Sequence, residues 1–457
     1  MTERIIDLVV PLAQEATDMR ITDTTGQTLE SSGAVSLLIG ESLLHGDVDS
    51  TMRPGIRTST MATRITTTPT TSCEPGPFAN QTDRHHADFS FEDLVRAYFD
   101  CRENKRNSQT ALIFEQDLEH NLFHLYEELM NGVYAPGKSI CFIITHPKPR
   151  EVWAAEFRDR IVHHLLYNHI SPRFYASFIA DSCACIPERG TLYAVKRLES
   201  KIRSTTQNWS KAAYYLKMDL ANFFVSIDKR IVHAKLAEKI NEPWWLQLAD
   251  TILFHDPRQN FEYRGNPVRL NRVPPHKRLG NHPSHLGLPI GNLSSQFFAN
   301  VLLDGLDQHC KHELHARHYI RYVDNFILLH ESSRWLNDAK HDIETWLPKN
   351  LSLHVNPSKT ILQPIDRGVD FVGQVIKPWH RSTRKRTVNE AIRRISTIPA
   401  AELLEVANSY FGLLRQAQHS HHDRALLSNA LRRRGYSIKS DLTKTYRRNI
   451  QAERKTA

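Results

Sequence analysis

The sequence predicts an α+β fold built on an antiparallel sheet. Amphipathic helical segments open the globular part of the chain. Strands and helices then mix without the strict alternation that a parallel sheet requires. The strand candidates are rich in aromatic and aliphatic residues, and one of them, HYIRYVDNFILLH, reads as two apolar strands turning near Asp324. Hydrophobic residues form 40% and charged residues 24% of 457, which suits a globular chain with a sizeable core and two or three domains.

Residues 1–86 differ in texture from the rest. The stretch TSTMATRITTTPTTSCEPGP, Thr58 to Pro77, is rich in Thr and Pro and predicts a flexible linker, so this N-terminal extension is expected to be partly disordered. Modest helical periodicity precedes it between Ile5 and Ala16. From Phe89, FEDLVRAYFDCRENK and FEQDLEHNLFHLYEELMNG space apolar residues at three and four, and Gly132 supplies a stop. ICFIITHPKPREVWAA reads as strand, Pro-rich turn and strand. FRDRIVHHLLYNHISPRF returns to helical spacing, with Pro172 expected to end the helix. AYYLKMDLANFFVSID starts as a strand, and GLPIGNLSSQFFANVLLDGLDQHC leads into a long helix. After the hairpin come the helix WLNDAKHDIETWLPKN and further strands in LSLHVNPSKTILQ and VDFVGQVI. From about Asn389 the chain is mostly helical, and it becomes very basic after Leu431.

Several function classes are disfavoured. The cysteines at 73, 101, 141, 183, 185 and 310 contain no CxxC pair, so neither a zinc ribbon nor a disulfide framework is indicated. No apolar run has the length of a membrane span, and the start MTERIIDLVVPLAQEA is too short and too acidic for a signal peptide, so a cytoplasmic protein is expected. The net charge of +9, with 25 histidines in addition, favours an anionic partner, most often nucleic acid.

Two acids stand out. Asp219 follows the run YYLKM and Asp324 follows YIRYV. A carboxylate in such a setting is costly unless a cation or metal accompanies it. On neighbouring strands, the two would point at one place, where a hard divalent cation such as Mg²⁺ is held by carboxylates and substrate phosphates. A pair of such ions activates an attacking hydroxyl and stabilises a leaving pyrophosphate.

From about Phe89 to Leu414 the chain resembles a bacterial reverse transcriptase, through seven blocks. KMDLANFFVSID resembles the first catalytic block and RYVDNFILL the second. GLPIGNLSSQFFAN resembles the block that supports template and nucleotide, LHVNPSKT the following basic block, and GVDFVGQVI the primer-gripping block. PKPREVWAAEFRDRIVHHLL resembles the fingers and NSYFGLLRQAQ the start of the thumb. The resemblance implies a right-hand polymerase, with fingers and palm over 87–388 and a helical thumb with a basic tail over 389–457. It also implies roles. Asp219 and Asp324, with the backbone carbonyl of Leu220, hold two Mg²⁺ ions. Phe224 is the steric gate that favours dNTPs, and Lys148 and Arg150 grip the triphosphate. Gln296 and Asn292 steady the template–nucleotide pair, Lys359 is the basic residue of its block, and Ile290 stands where a Gln can contact the incoming sugar.

The implied activity is RNA-directed DNA synthesis from dNTPs on an RNA template. IGNLSSQ resembles the block of diversity-generating retroelement enzymes and of related, defence-associated reverse transcriptases. The expected setting is defence against phage, with a dedicated noncoding RNA or a partner protein and no membrane. The alternatives are a diversity-generating retroelement enzyme, untemplated or protein-primed DNA synthesis, and an inactive RNA-binding scaffold. Asn325 departs from the family's usual Asp. It keeps the shape and removes one negative charge beside the metals, so retained activity with weaker metal affinity is expected. Two basic stretches, residues 257–285 with Phe261 and Tyr263, and the tail after Leu431, are candidates for contact with nucleic acid, with a solvated loop and a disordered tail as their alternatives.

Overall fold

The computed structural model describes residues 88–103, 108–145 and 148–447. The extension 1–86, with its linker and Cys73, and the end of the basic tail lie outside the described residues.

Three helices lead: α1 (Phe91–Arg102), α2 (Gln109–Glu115) and α3 (Leu118–Met130). Ser90 and Asp93 close a capping box on α1, and Leu94, Val95, Ala97, Tyr98 and Cys101 bury its apolar stripe. The single helix expected from Phe114 is broken at Asp117, whose φ of −137° and ψ of 61° are not helical, and Asn121 Nδ2 donates to the Phe114 carbonyl at 2.9 Å across the break. Strands β1 (Ser139–Ile144) and β2 (Arg150–Ala154) pair as the expected hairpin.

Helix α4 (Phe157–Tyr175) corrects the expectation at Pro172, which lies inside it. Proline costs a helix interior about 3 kcal/mol. Here Phe174, the penultimate residue, is buried edge-on against Phe297 at 5.4 Å, and the Ala176 N–H donates to the Pro172 carbonyl, so packing carries the chain about one turn past the proline.

Next come α5 (Thr191–Thr205), β3 (Tyr214–Asp219), the short α6 (Phe223–Ser226), α7 (Lys229–Ala237) and α8 (Pro243–Phe254). β4 (Phe261–Arg264) lies within the basic stretch and joins β1 in parallel, giving a finger sheet ordered β2-β1-β4. Helix α9 (Leu293–Gln308), the hairpin β5 (His318–Tyr322) and β6 (Asn325–His330), helix α10 (Ser333–Leu351) and β7 (Ile361–Pro364) complete the palm. Its sheet runs β5-β6-β3-β7 and is antiparallel throughout.

Both faces of this sheet are covered. Leu216, Met218, Tyr319, Phe326 and Leu328 join the main core with α9 and α10. Tyr215, Ile320, Ile327 and Leu329 pack with Ala194, Val195, Leu198 and Ile202 of α5 and with Val369, Phe371 and Ile376. Burial on two sides explains why the palm strands read as continuous apolar runs rather than as alternating ones. The last three of these residues belong to a small sheet of β8 (Val369–Phe371), β9 (Gln374–Lys377) and β10 (His380–Thr383).

The C-terminal helices α11 (Lys385–Thr397), α12 (Ala400–Leu414) and α13 (His421–Arg433) close around a core of their own, with Ile395, Leu403, Phe411, Leu427 and Leu431 at its centre. The first starts before Asn389. The basic segment after Leu431 is neither a long helix nor a loose tail as far as Arg447. It ends α13 and then forms the hairpin β11 (Tyr436–Ile438) and β12 (Thr445–Arg447). Arg434 turns inward to donate to the carbonyls of Ile395 and Ile398 at 2.8 and 2.6 Å. No described helix is long and apolar enough to cross a membrane. The architecture is that of a right-hand polymerase: fingers, an antiparallel palm and a helical thumb.

Candidate active site

Asp219 ends β3 and Asp324 sits in the two-residue turn between β5 and β6. Pairing of β3 with β6 sets Asp219 opposite Asn325, and the Leu220 N–H donates to the Asp324 carbonyl at 3.1 Å. The two acids are thereby brought to one end of the sheet. Asn325 Nδ2 donates to Asp219 Oδ2 at 2.9 Å and to Asp324 Oδ1 at 3.3 Å. Lys359 Nζ pairs with the other oxygen of Asp219. Burial, and next the Asp219 charge, push the Asp324 carboxyl above the usual carboxylate range, while Asn325 and Lys359 pull the other way.

Backbone bonds carry Lys359 to this place. The Asn356 N–H donates to the Asp219 carbonyl at 2.7 Å and the Ala221 N–H to the His354 carbonyl at 2.8 Å, which clamps the segment before β7 across the end of β3. Among the described residues, no backbone hydrogen bond reaches the Leu220 carbonyl. Two carboxylates and a bare carbonyl are hard oxygen donors; an amide NH₂ lies between the carboxylates and an ammonium sits on Asp219, so positive groups already gather at the pair. This donor set fits a divalent cation such as Mg²⁺. The described residues contain no cluster of three or more His, Cys, Asp and Glu, so further ligands would come from substrate and water.

One group that holds the hairpin was missed in the sequence. Arg321 is 1% exposed and donates to both oxygens of the fully buried Asp307 at 2.7 Å, to Ser182 Oγ at 2.8 Å, to Asn300 Oδ1 at 3.2 Å and to the Val323 carbonyl at 3.1 Å. Tyr319 adds its hydroxyl to Asp307 at 2.7 Å. Val323 takes a φ of 54°, strained for a β-branched residue. The guanidinium fixes that strained carbonyl and so aims the next residue, Asp324. The available signal was Arg321, a charge inside the apolar run YIRYV; Asp307, in DGLDQHC, carries none.

The finger hairpin presents Lys148 and Arg150, both exposed, at and beside its turn. Partial burial, then Lys359, Lys277, Arg386 and Arg150, hold the Lys148 ammonium below its usual range. Cations from fingers, basic stretch, palm and thumb therefore lie within electrostatic reach of Lys148. Lys277 reaches the group because residues 257–285 fold back on the fingers instead of forming a free loop. β4 extends the sheet, Leu279 is buried with Cys141 and Trp153, and the Leu279 N–H donates to Glu151 Oε2 at 2.7 Å. Phe261 stays 42% exposed beside Trp153, and Tyr263 donates its hydroxyl to the Asn266 carbonyl.

Phe224 is half-buried in α6 near the end of β3, and its carbonyl accepts from the Leu288 N–H at 2.8 Å, which ties it to the PIGN loop. In that loop Gly291 has a φ of 131°, and a Cβ there would lie 2.9 Å from the Trp153 carbonyl oxygen. Only glycine lets the loop lie against β2, where the Ile290 carbonyl accepts from the Trp153 N–H at 2.7 Å. Asn292 is buried, and its Oδ1 accepts from the Ala155 N–H at 3.0 Å, so it straps the palm to the fingers. Gln296, half-buried on the first turns of α9, has no side-chain hydrogen-bond partner among the described residues.

No curated protein matches the sequence. Among solved structures, the chain is similar to one in a structure of telomerase from Candida albicans in complex with a TWJ fragment of telomeric RNA, at 13% identity and a TM-score of 0.40. The likeness covers 65% of this chain and 55% of the telomerase chain, so the protein spans little more than half of that relative's length. Residues 147–376, half of the chain, match the family model described as reverse transcriptase (RNA-dependent DNA polymerase). They include both carboxylates, the hairpin, the PIGN loop and Lys359, and the chain belongs to the reverse transcriptase family.

Proposed function

We propose that the protein extends a 3′-hydroxyl with dNTPs on an RNA template and releases pyrophosphate. The observation that carries this reading is the joining of Asp219 and Asp324 through one amide at one end of an antiparallel sheet, with the Lys359 ammonium on Asp219. Asp219, Asp324 and the Leu220 carbonyl would hold Mg²⁺, which when bound activates the attacking hydroxyl and offsets charge on the leaving phosphates. Lys148 and Arg150 bind and orient the triphosphate and stabilise its developing charge. Phe224 lies under the sugar and excludes a 2′-hydroxyl by overlap, and Gln296 offers an unengaged amide to the template–nucleotide pair. The basic stretch with Lys277 and exposed Phe261 lines an approach for the template, by phosphate contact and base stacking.

The finer reading is a defence-associated enzyme acting against phage with a noncoding RNA or partner protein. IGNLSSQ and the departure at Asn325 support it. The test is dNTP incorporation with Mg²⁺, with and without co-expressed RNA, for wild type, Asp324→Ala and Phe224→Ala. Wild type should incorporate dNTPs and Asp324→Ala should lose the activity by about a thousandfold or more. Phe224→Ala should accept rNTPs while it still extends with dNTPs. Product sequence then separates an RNA-copying enzyme from untemplated synthesis, and variable-repeat products would point to a retroelement. A wild type that binds RNA but incorporates nothing would leave only the scaffold.

A further inference from the structure

At the carboxylate pair, the family's second acid is replaced by a side chain that bonds to both remaining acids. Facing two carboxylates, the Asn325 amide presents its NH₂, because its oxygen would be repelled. It spends one N–H on Asp219 and one on Asp324. Lys359 takes the remaining Asp219 oxygen, yet its side chain is 45% exposed and lies within electrostatic reach of Lys148. Of the two side chains that bond to the pair, Asn325 is held by the strand register, while Lys359 has a flexible, half-exposed stem that can turn toward an anion.

We propose that Asn325 and Lys359 form a latch that occupies the carboxylate pair and makes divalent-ion binding depend on prior or simultaneous arrival of a nucleoside triphosphate. This rests on the reading of Asp219 and Asp324 as the metal-holding pair. The incoming triphosphate, gripped by Lys148 and Arg150, draws Lys359 off Asp219 and supplies the oxygens that Asn325 does not. An aspartate at 325 would remove the amide donor and add a third negative charge, which pulls in an ion without nucleotide. The latch thus bridges the acids and holds back an ion until substrate is present.

The test is Mn²⁺ binding followed by the EPR signal of the free ion, with thermal melting in parallel. It would use the full-length protein, with and without a non-hydrolysable dNTP. Wild type should bind Mn²⁺ weakly alone and much more tightly with the nucleotide. Asn325→Asp should bind the ion alone about tenfold tighter or more, gain less from nucleotide, and melt lower without metal. Lys359→Ala, a change at a half-exposed site, should also bind the ion alone more tightly. Asp324→Ala should abolish the uptake that these variants modulate. A variant that binds no tighter than wild type removes its side chain from the latch, and the proposal falls if neither is tighter or if Asp324→Ala leaves uptake unchanged. Wild type that shows the coupling yet incorporates no dNTP would overturn the polymerase reading and leave the latch standing.

Discussion

The acidic and basic sides of the site are built differently. Asp219 is 4% exposed at the end of a central strand, and the hairpin carrying Asp324 is braced by Arg321, 1% exposed, on a buried Asp307. Lys148 and Arg150 stand in solvent at a finger turn, and Lys277 arrives on a folded-back loop. The difference suits the roles proposed for the two sides. Two carboxylates that would share an ion must hold their spacing before it arrives, since each misplacement costs coordination. Cations that would meet a flexible triphosphate can adjust to it, so they would need charge and reach more than rigidity.

That contrast can be broken where it is strongest. Arg321→Met should cost about 3–5 kcal/mol by leaving Asp307 buried and unpaired. The fall should appear in chemical denaturation, and adding Asp307→Leu should recover part of it. An unchanged midpoint would mean that the hairpin does not rest on this pair. On the basic side, Lys148→Ala should leave stability within about 0.5 kcal/mol and raise the dNTP KM about tenfold, as expected when an exposed cation that contacts phosphate is lost. A comparable fall in melting temperature would show that the fingers are as rigidly braced as the palm.

The smallest effect concerns pH. Burial, and next the charges of Lys201, Arg317 and Lys311, push the His318 imidazole at the start of β5 from 6.5 down to about 4. Its folded pKa is depressed, so its contribution is complete above pH 6.5 and is lost as pH falls toward 4. Asp159 works in the opposite sense. Burial lifts its carboxyl from 3.8 to about 6, so its contribution is greatest at low pH and fades as pH rises through 6. Comparing wild type with His318→Gln cancels the Asp159 effect. Between pH 8 and 5 the wild type should lose about 1 kcal/mol more than the variant, a figure reduced for partial exposure. Equal losses would remove His318 from the account.

The sequence exposed most of the acidic side. Either acid alone reads as an ordinary strand-end turn residue; Asp219 and Asp324 stand out because both follow apolar runs and sit in blocks that resemble one family, and the hairpin at Asp324 follows from two apolar runs meeting at it. Arg321 was hidden in plain view. Its partner Asp307 lies on a different element, and pairing across elements leaves no local pattern. Pro172 misled because local propensity is a weak prior against the burial of Phe174. Residues 257–285 were ambiguous because β4 is short and half polar, and only its pairing with β1 makes it a strand. The role of Asn325 as a bridge depends on a register of β3 against β6 that no single segment encodes.

The parallel pairing of β4 with β1 has a consequence for synthesis of the chain. β1 and β2 leave the ribosome first, and β1 has an open edge until residues as far as Arg264 have emerged. An unpaired edge of apolar residues such as Ile140 and Phe142 invites wrong partners. A chain terminated before Phe261 would keep that edge permanently open and is expected to aggregate more readily than the full chain.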